Sequence, residues 1–182
     1  TIPNFSPENY IAARDVRKMD RFIQMGIAAA IEAVEDSGWK PEGELARDLT
    51  GVMVGSGIGG LGMIERTAME FHESERGKVS PYFIPSSLIN LVSGHISIKY
   101  GFSGPNSAVA TACSTGAHAI GDAARMIKYG DADVMIAGGT EAPITPSGVA
   151  GFSAARALAI TFNDNPTRAS RPWDVDHAGF VM

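Results

Sequence analysis

One short segment constrains the fold of this chain more than any other. An apolar run over residues 107–112 predicts a strand, and it leads through a single cysteine into an amphipathic run that predicts a helix. The cysteine is Cys113, the only one in the chain. A helix that starts directly behind it aims unpaired N–H groups and the positive end of its dipole at the sulfur, which stabilises a thiolate. Cys113 is therefore the candidate nucleophile.

The same alternation of apolar runs, turns and amphipathic runs recurs along the chain. Apolar residues recur at helical spacing from Lys18 to Ser37, and Gly38 is the expected terminator. Alternating helices and strands predict an α/β fold with a largely parallel sheet of buried strands. The predicted helices cover residues 18–37, 63–75, 86–99, 114–130 and 149–158, and the predicted strands cover 51–54, 107–112 and 134–137.

The helix behind Cys113 carries a stripe of mostly small side chains. Small residues allow very close packing, so this helix is expected to be buried in the centre of the molecule. The stripe consists of Ala117, Ile120, Gly121, Ala124 and Ile127.

Composition bounds the class of protein. The 182 residues are 45% hydrophobic and contain no linker, which predicts one domain over residues 1–182, with both ends looking truncated. One cysteine excludes an internal disulfide framework, and four scattered histidines lack the spacing of a metal site. The net charge of −5 argues against nucleic-acid binding, and no apolar stretch is long enough to cross a membrane.

The local pattern around Cys113 leaves two interpretations open. A free cysteine is often simply a small buried residue, whereas a cysteine between strand and helix resembles a nucleophile elbow and suggests acyl chemistry. His118 lies five residues further along the helix, about 140° from the position of Cys113, and is not expected to be its base.

A glycine-rich turn over residues 55–60 satisfies the pattern G-x-G-x-x-G between a strand and a helix. That pattern introduces the hypothesis of a nicotinamide-dependent oxidoreductase. A dinucleotide site also needs a second strand ending in an acidic residue about 20 positions further on, and none is predicted there. A structural turn is the favoured interpretation.

Four basic residues are spaced as if on one helical face, at Arg14, Arg17, Lys18 and Arg21. They form either an ordinary solvated surface or a docking surface for an acidic partner.

Three motifs together are specific enough to suggest a family. They are residues 110–118 around Cys113, residues 130–141 (Gly-Asp-Ala-Asp-Val-Met-Ile-Ala-Gly-Gly-Thr-Glu) and residues 170–174 (Ser-Arg-Pro-Trp-Asp). They closely resemble the β-ketoacyl-acyl carrier protein synthases, in particular the synthase II branch, and the likeness covers essentially the whole chain. The resemblance implies a thiolase-like α/β fold with layered helices and a mixed, largely parallel sheet, in which this chain is most of the first of two related halves, and it implies a homodimer.

The resemblance also implies a reaction without cofactor or metal. Cys113 accepts an acyl group from acyl carrier protein, malonyl carrier protein loses CO₂, and the carbanion attacks the acyl-enzyme thioester in a decarboxylating Claisen condensation. By similarity, Ile58 and Phe152 border the acyl pocket, while Phe83 and Ile84 reach the pocket of the partner subunit. The positions that match those contacting the carrier protein are Arg14, Arg17, Lys18 and Arg156, which favours the docking interpretation of the basic residues.

The family's two catalytic histidines, its catalytic lysine and its gating loop all lie downstream of residue 182, so this segment alone is expected to be inactive. A polyketide-type ketosynthase and a non-catalytic chain-length partner of the same fold remain open alternatives. A bacterial cytoplasm is the expected compartment, with a plastid or a mitochondrial matrix also allowed.

Overall fold

A three-stranded parallel sheet organises the larger part of the chain. The computed structural model describes residues 2–182, and its contacts divide them into two compact units, one of Asn4–Ala142 and one of Pro143–Met182 with Ile2 and Pro3. The strands are β1 (Thr50–Gly55), β2 (Asn106–Ser107) and β3 (Val134–Gly139), in the order β2-β1-β3. All pairings are parallel, so the predicted α/β class with a parallel sheet is confirmed.

Helices alternate with these strands as the sequence predicts. The structure confirms the strand predicted at 51–54 and the helix predicted after Cys113. It also confirms that this helix ends at Gly130, which adopts a left-handed conformation. The helices are α1 (Ala13–Val16), α2 (Arg21–Ser37), α3 (Gly43–Asp48), α4 (Leu61–Glu73), α5 (Phe83–Ser87), α6 (Leu91–Tyr100), α7 (Thr115–Tyr129) and α8 (Pro146–Ala154), with short 3₁₀ turns at Pro7–Asn9, Ala112–Ser114 and Pro166–Arg168.

The main core lies between α2, α6 and one face of β1. Asp20 caps α2 by accepting a hydrogen bond from the Phe22 N–H at 3.2 Å, and Gly38 ends it with φ of 67°. The apolar face predicted for α2 is buried, and so are the α6 and β1 residues that it meets. The core includes Phe22, Ile23, Ile27, Ile31, Val34, Val52, Val54, Val92 and Ile96.

The prediction of a single helix over 86–99 is wrong, because the structure has two helices here, α5 and α6. Leu88 is extended between α5 and α6. The backbone at the break bonds to other segments: Asp20 N–H donates to the Ser86 carbonyl and Gly60 N–H donates to the Ser87 carbonyl. These tertiary bonds compete with a continuous helical ladder.

The strand predicted over 107–112 is also wrong in extent. Only Asn106 and Ser107 pair with β1, opposite Val52 and Met53. Beyond Ser107 the chain leaves the ladder and turns toward Cys113.

Burial of the cysteine's helix differs from expectation too. Its side toward the sheet is buried at Thr115, Ala119 and Ala123, but the whole predicted stripe faces outward, with Ile120 56% exposed. Strand β3, expected to be buried, is half-buried because it is an edge of this sheet. In this part of the protein only one side of α7 has a sheet to pack against.

The basic residues are not on one helical face. Arg14 is in α1, Arg17 ends that helix, and Arg21 begins α2 after an intervening turn that contains Lys18. Asp20, as the cap of α2, sets this break.

The predicted helix over 149–158 begins earlier and ends earlier, as α8. Thr145 caps it by accepting from the Gly148 N–H at 3.1 Å, and Pro146 occupies its first turn, where a missing N–H costs nothing. In the same unit, Phe152 packs edge-on against Phe180 with ring centroids 5.5 Å apart.

A histidine in α6 makes stability depend on pH. Burial lowers the pKa of His95 from its ordinary value of 6.5, with nearby Asp15 opposing the shift. The unfolded chain therefore binds this proton at a higher pH than the folded chain does. The contribution of His95 to the free energy of unfolding is therefore constant above about pH 6.5. It is lost as the pH falls from there through the pKa of His95 in the folded protein, which is the lower of the two. Thermal unfolding of the intact protein between pH 7 and 5 should show a smaller pH slope in His95→Gln than in the wild type, and an equal slope in the two would contradict this prediction.

Candidate active site

Three segments of the larger unit meet at the carboxyl edge of the sheet. They are the loop after β1 (residues 56–60), the residues just after β3 (140–141), and the turn that contains Cys113. Ligand sites in open parallel α/β sheets lie at this edge. The Gly57 Cα is close enough to Ala112 that an added Cβ would lie 3.0 Å from the Ala112 Cα, so the loop after β1 touches the cysteine turn directly.

The turn around Cys113 is tightly fixed by hydrogen bonds. The buried Thr115 hydroxyl accepts from the Thr111 N–H and donates to the Ala112 carbonyl, both at 2.8 Å. The Ser114 hydroxyl donates to the Thr111 carbonyl at 2.7 Å. Ala112 has φ of 51°, a left-handed conformation that costs a non-glycine residue about 1–2 kcal/mol. Such strain concentrates at functional turns. Cys113, the next residue, is exposed in the 3₁₀ turn that leads into α7.

Glycines bring α7 close to the sheet. An added Cβ at Gly55 would lie 2.2 Å from the Val109 carbonyl oxygen, and one at Gly139 would lie 2.9 Å from the Gly116 backbone. Real Cβ atoms do not approach backbone atoms this closely. The position of Cys113 at the edge of the sheet therefore requires glycine at these two positions, because any side chain would clash with the backbone.

A carboxylate occupies the loop after β1. Oε2 of Glu141 accepts from the Gly57 N–H at 2.7 Å and the Ile58 N–H at 2.8 Å. Its Oε1 accepts from the Ser56 hydroxyl at 2.8 Å and the Gly59 N–H at 3.2 Å. The N–H groups that would hold a pyrophosphate in a dinucleotide site are thus already bonded within the protein, which argues for the structural-turn interpretation.

The residues that the resemblance assigns to the acyl pocket lie in different parts of the chain. Ile58 is 42% exposed and sits in the loop that touches the cysteine turn. Phe83 and Ile84 begin α5, and Ile84 is 59% exposed. Phe152 belongs to the other unit, in α8.

The ring of His118 is bonded to other groups. Its Nδ1 lies 3.2 Å from the Thr111 hydroxyl and its Nε2 lies 3.1 Å from Oδ2 of Asp122. With these partners His118 supports the turn and the first part of α7.

The basic residues assigned to docking differ in their surroundings. Lys18 is 2.7 Å from Asp15 and lies over the ring of Tyr82, while Arg14 is 3.5 Å from Asp15. The hydrogen bond with Lys18 holds the pKa of Asp15 below its usual value. Arg17 is exposed, as is Arg156 in the other unit, where it has φ of 54°.

The sequence patterns predict no role for Glu141 or Thr115. Both lie within the motifs that suggested the family. An acidic residue directly after a strand, opposite a glycine-rich loop at the same sheet edge, was the signal that could have identified Glu141.

None of the helices described is both long and apolar enough to cross a membrane.

Comparisons with known proteins agree on one family. A family model described as "Beta-ketoacyl synthase, N-terminal domain" matches residues 5–182. The chain is 54% identical, over 181 residues, to a Vibrio cholerae protein named 3-oxoacyl-[acyl-carrier-protein] synthase 2, covering 100% of this chain and 43% of that protein. The chain thus spans less than half the length of this relative.

Solved structures show the same architecture. A beta-ketoacyl synthase from Burkholderia phymatum matches with a TM-score of 0.81 and 26% identity, covering 98% of this chain and 43% of that one. A structure of a type II PKS acyl-carrier protein in complex with its ketosynthase, bound to the hexaketide, matches with a TM-score of 0.75 and 28% identity, covering 87% of this chain and 46% of that chain. The predicted thiolase-like class is confirmed.

Proposed function

The chain belongs to the β-ketoacyl synthase family, as its N-terminal domain, and we propose on this premise that the intact protein is a 3-oxoacyl-[acyl-carrier-protein] synthase of fatty-acid elongation, with Cys113 as its nucleophile. The proposal depends on one observation: the thiol of Cys113 is exposed on the turn that leads into α7. Hydrogen bonds hold this turn in place, and its residue Ala112 is left-handed.

The chemistry proceeds in two stages. The Cys113 thiolate attacks the thioester carbonyl of an acyl carrier protein, the carrier's thiol leaves with a proton, and the acyl group remains on the sulfur. Malonyl carrier protein then loses CO₂, its carbanion attacks the acyl-cysteine carbonyl, and the thiolate leaves. The product is a β-ketoacyl carrier protein longer by two carbons. The N–H of Cys113 at the helix start is suited to stabilise the oxyanion of each addition.

The acyl chain is proposed to lie beside the loop after β1. We assign Ile58 to this pocket, and from the resemblance we also propose acyl contacts for Phe152 and, toward a partner subunit of a homodimer, for Phe83 and Ile84. The position of Ile58 supports its role, because its loop lies against Ala112, the residue before Cys113.

We propose further that the outward stripe of α7 is covered by the other half of the intact protein. Ile120 is 56% exposed and Ile127 is 43% exposed, and burying them would remove apolar surface from water. This arrangement would place the cysteine's helix at the centre of the molecule, as expected for two stacked halves.

A polyketide-type ketosynthase would use the same chemistry. The name of the relative that is 54% identical over the whole chain, 3-oxoacyl-[acyl-carrier-protein] synthase 2, supports the first assignment. We propose a bacterial cytoplasm as the compartment, with a mitochondrial matrix as the alternative, since the relatives include bacterial proteins and a mitochondrial one.

Incubation of the intact protein with acyl carrier thioesters, followed by mass spectrometry, tests the proposal. We expect the acyl mass on the peptide that contains Cys113, and a β-ketoacyl product when malonyl carrier protein is added. A protein that is not acylated at Cys113 by any acyl carrier thioester would refute the assignment. Nucleotide binding without acylation would favour the oxidoreductase hypothesis instead.

Charge reversal at Arg17 is expected to weaken docking of the acidic carrier protein. Arg17 is exposed, so Arg17→Glu replaces attraction by repulsion without disturbing the core. We expect KM for the acyl carrier to rise about tenfold at low salt, equivalent to about 1.4 kcal/mol, with kcat within about twofold. The difference should shrink as salt is added. Arg76→Glu reverses an exposed charge after α4 and should leave KM for the acyl carrier unchanged. An equal rise of KM in the two variants would mean that the net charge of the protein, and not a docking surface at Arg17, determines carrier binding.

A further inference from the structure

We propose that Glu141 is a positioning residue for the acyl pocket: it holds the loop that carries Ile58 and thereby sharpens the selection of acyl-chain length. This inference rests on the proposed function, because it concerns the same pocket.

The hydrogen bonds of Glu141 converge on one short loop. Its two carboxylate oxygens accept from the backbone N–H groups of Gly57, Ile58 and Gly59 and from the Ser56 hydroxyl, at 2.7–3.2 Å. The Ser56 hydroxyl also accepts from the Gly59 N–H at 3.1 Å. Bonds to a carboxylate are stronger than those between neutral groups, so three consecutive peptide groups are held by one side chain.

The loop is held on its other sides as well. Gly57 lies against Ala112, the residue before the nucleophile, and Gly60 N–H donates to the Ser87 carbonyl at 3.2 Å. The backbone of Ile58 is therefore fixed relative to the cysteine turn, while its side chain is 42% exposed. An apolar side chain on a fixed backbone has fewer positions open to it than one on a mobile loop, so it limits chain length more sharply.

Glu141→Gln tests this with little change in shape. The glutamine amide keeps one acceptor oxygen but replaces the other with an NH₂ group, and it removes the charge that strengthens all four hydrogen bonds, so the loop is held more weakly. One methylene in an apolar pocket is worth about 10- to 200-fold in discrimination. We expect the ratio of acylation rates at Cys113 between the best and the worst of a series of C6 to C18 acyl carriers to fall at least about fivefold, while the best rate changes by less than about threefold.

Three further variants separate positioning from general stability. Thr50→Val removes two partly buried hydrogen bonds at the opposite end of β1, one from Trp39 Nε1 at 3.2 Å and one to the Ala46 carbonyl. It should lower stability without altering the chain-length profile. In an Ile58→Ala background, Glu141→Gln should change the profile no further, because the side chain through which it acts is gone. If Glu141→Gln does not fold, Ser56→Ala removes one hydroxyl from the cluster and should flatten the profile in the same direction.

The outcomes distinguish the two proposals. A wild-type protein that is not acylated at Cys113 refutes the proposed function and this inference with it. A wild-type protein that is acylated, with an unchanged profile in Glu141→Gln, overturns this inference alone, as does a flattening that Thr50→Val reproduces.

Discussion

Replacement of Cys113 by alanine is expected to abolish both acylation and condensation in the intact protein. No other cysteine is present in this chain, and the sulfur is exposed on a turn whose geometry is fixed by Thr115 and Ser114. Loss of the nucleophile in a covalent mechanism costs on the order of 10⁶-fold in kcat, so we expect a loss of at least about 1,000-fold. Mass spectrometry after incubation with an acyl carrier thioester, and product formation with malonyl carrier protein, measure the two stages separately.

His118→Gln is the control for this prediction. His118 lies in the same helix, and its ring bonds to Thr111 and Asp122. If it only supports the turn, the variant should retain acylation within about threefold. A loss as large as that of Cys113→Ala would mean that His118 takes part in the chemistry, which contradicts the assignment. Acylation of Cys113→Ala at full rate would show that another group accepts the acyl chain.

Elements specified by neighbouring residues were predictable from the sequence. The α2 helix has its apolar residues at helical spacing, its cap at Asp20 and its terminator at Gly38, all within one segment, and it forms nearly as expected. The start of α7 directly behind Cys113 follows from equally local signals. These features depend on side chains a few positions apart.

The errors have a common physical cause in contacts between distant residues. The break after Ser87 depends on hydrogen bonds to Asp20 and Gly60, and no local pattern indicates those partners. Glu141 was missed for the same reason, since its hydrogen-bond partners in the loop after β1 lie more than 80 positions away in the chain. The candidate nucleophile could therefore be found from local signals alone, whereas Glu141 could be found only by combining two distant segments that the sheet brings to the same edge.

Substitution of Gly55 by alanine is expected to be strongly destabilising. Gly55 ends β1 and pairs in register with Gly139 of β3, where the cysteine turn and α7 cross the sheet. An added Cβ would lie 2.2 Å from the Val109 carbonyl oxygen and 2.5 Å from Cγ2 of Thr115. The backbone cannot yield at Val109 without moving the segment that leads to Cys113. We expect a cost of roughly 3 kcal/mol, seen as a fall of about 6 °C or more in the midpoint of thermal unfolding.

Gly138→Ala is the matched control, because Gly138 lies on the neighbouring strand, one position before the residue paired with Gly55. Successive residues of a strand face opposite sides of the sheet, and an added Cβ at Gly138 meets nothing within 4 Å. Its midpoint should stay within about 2 °C of wild type. Because Thr115 holds the cysteine turn, Gly55→Ala should also slow acylation of the folded protein about tenfold or more, while Gly138→Ala should not. Equal stability and equal acylation in the two variants would mean that α7 does not pack on the sheet as closely as these distances require.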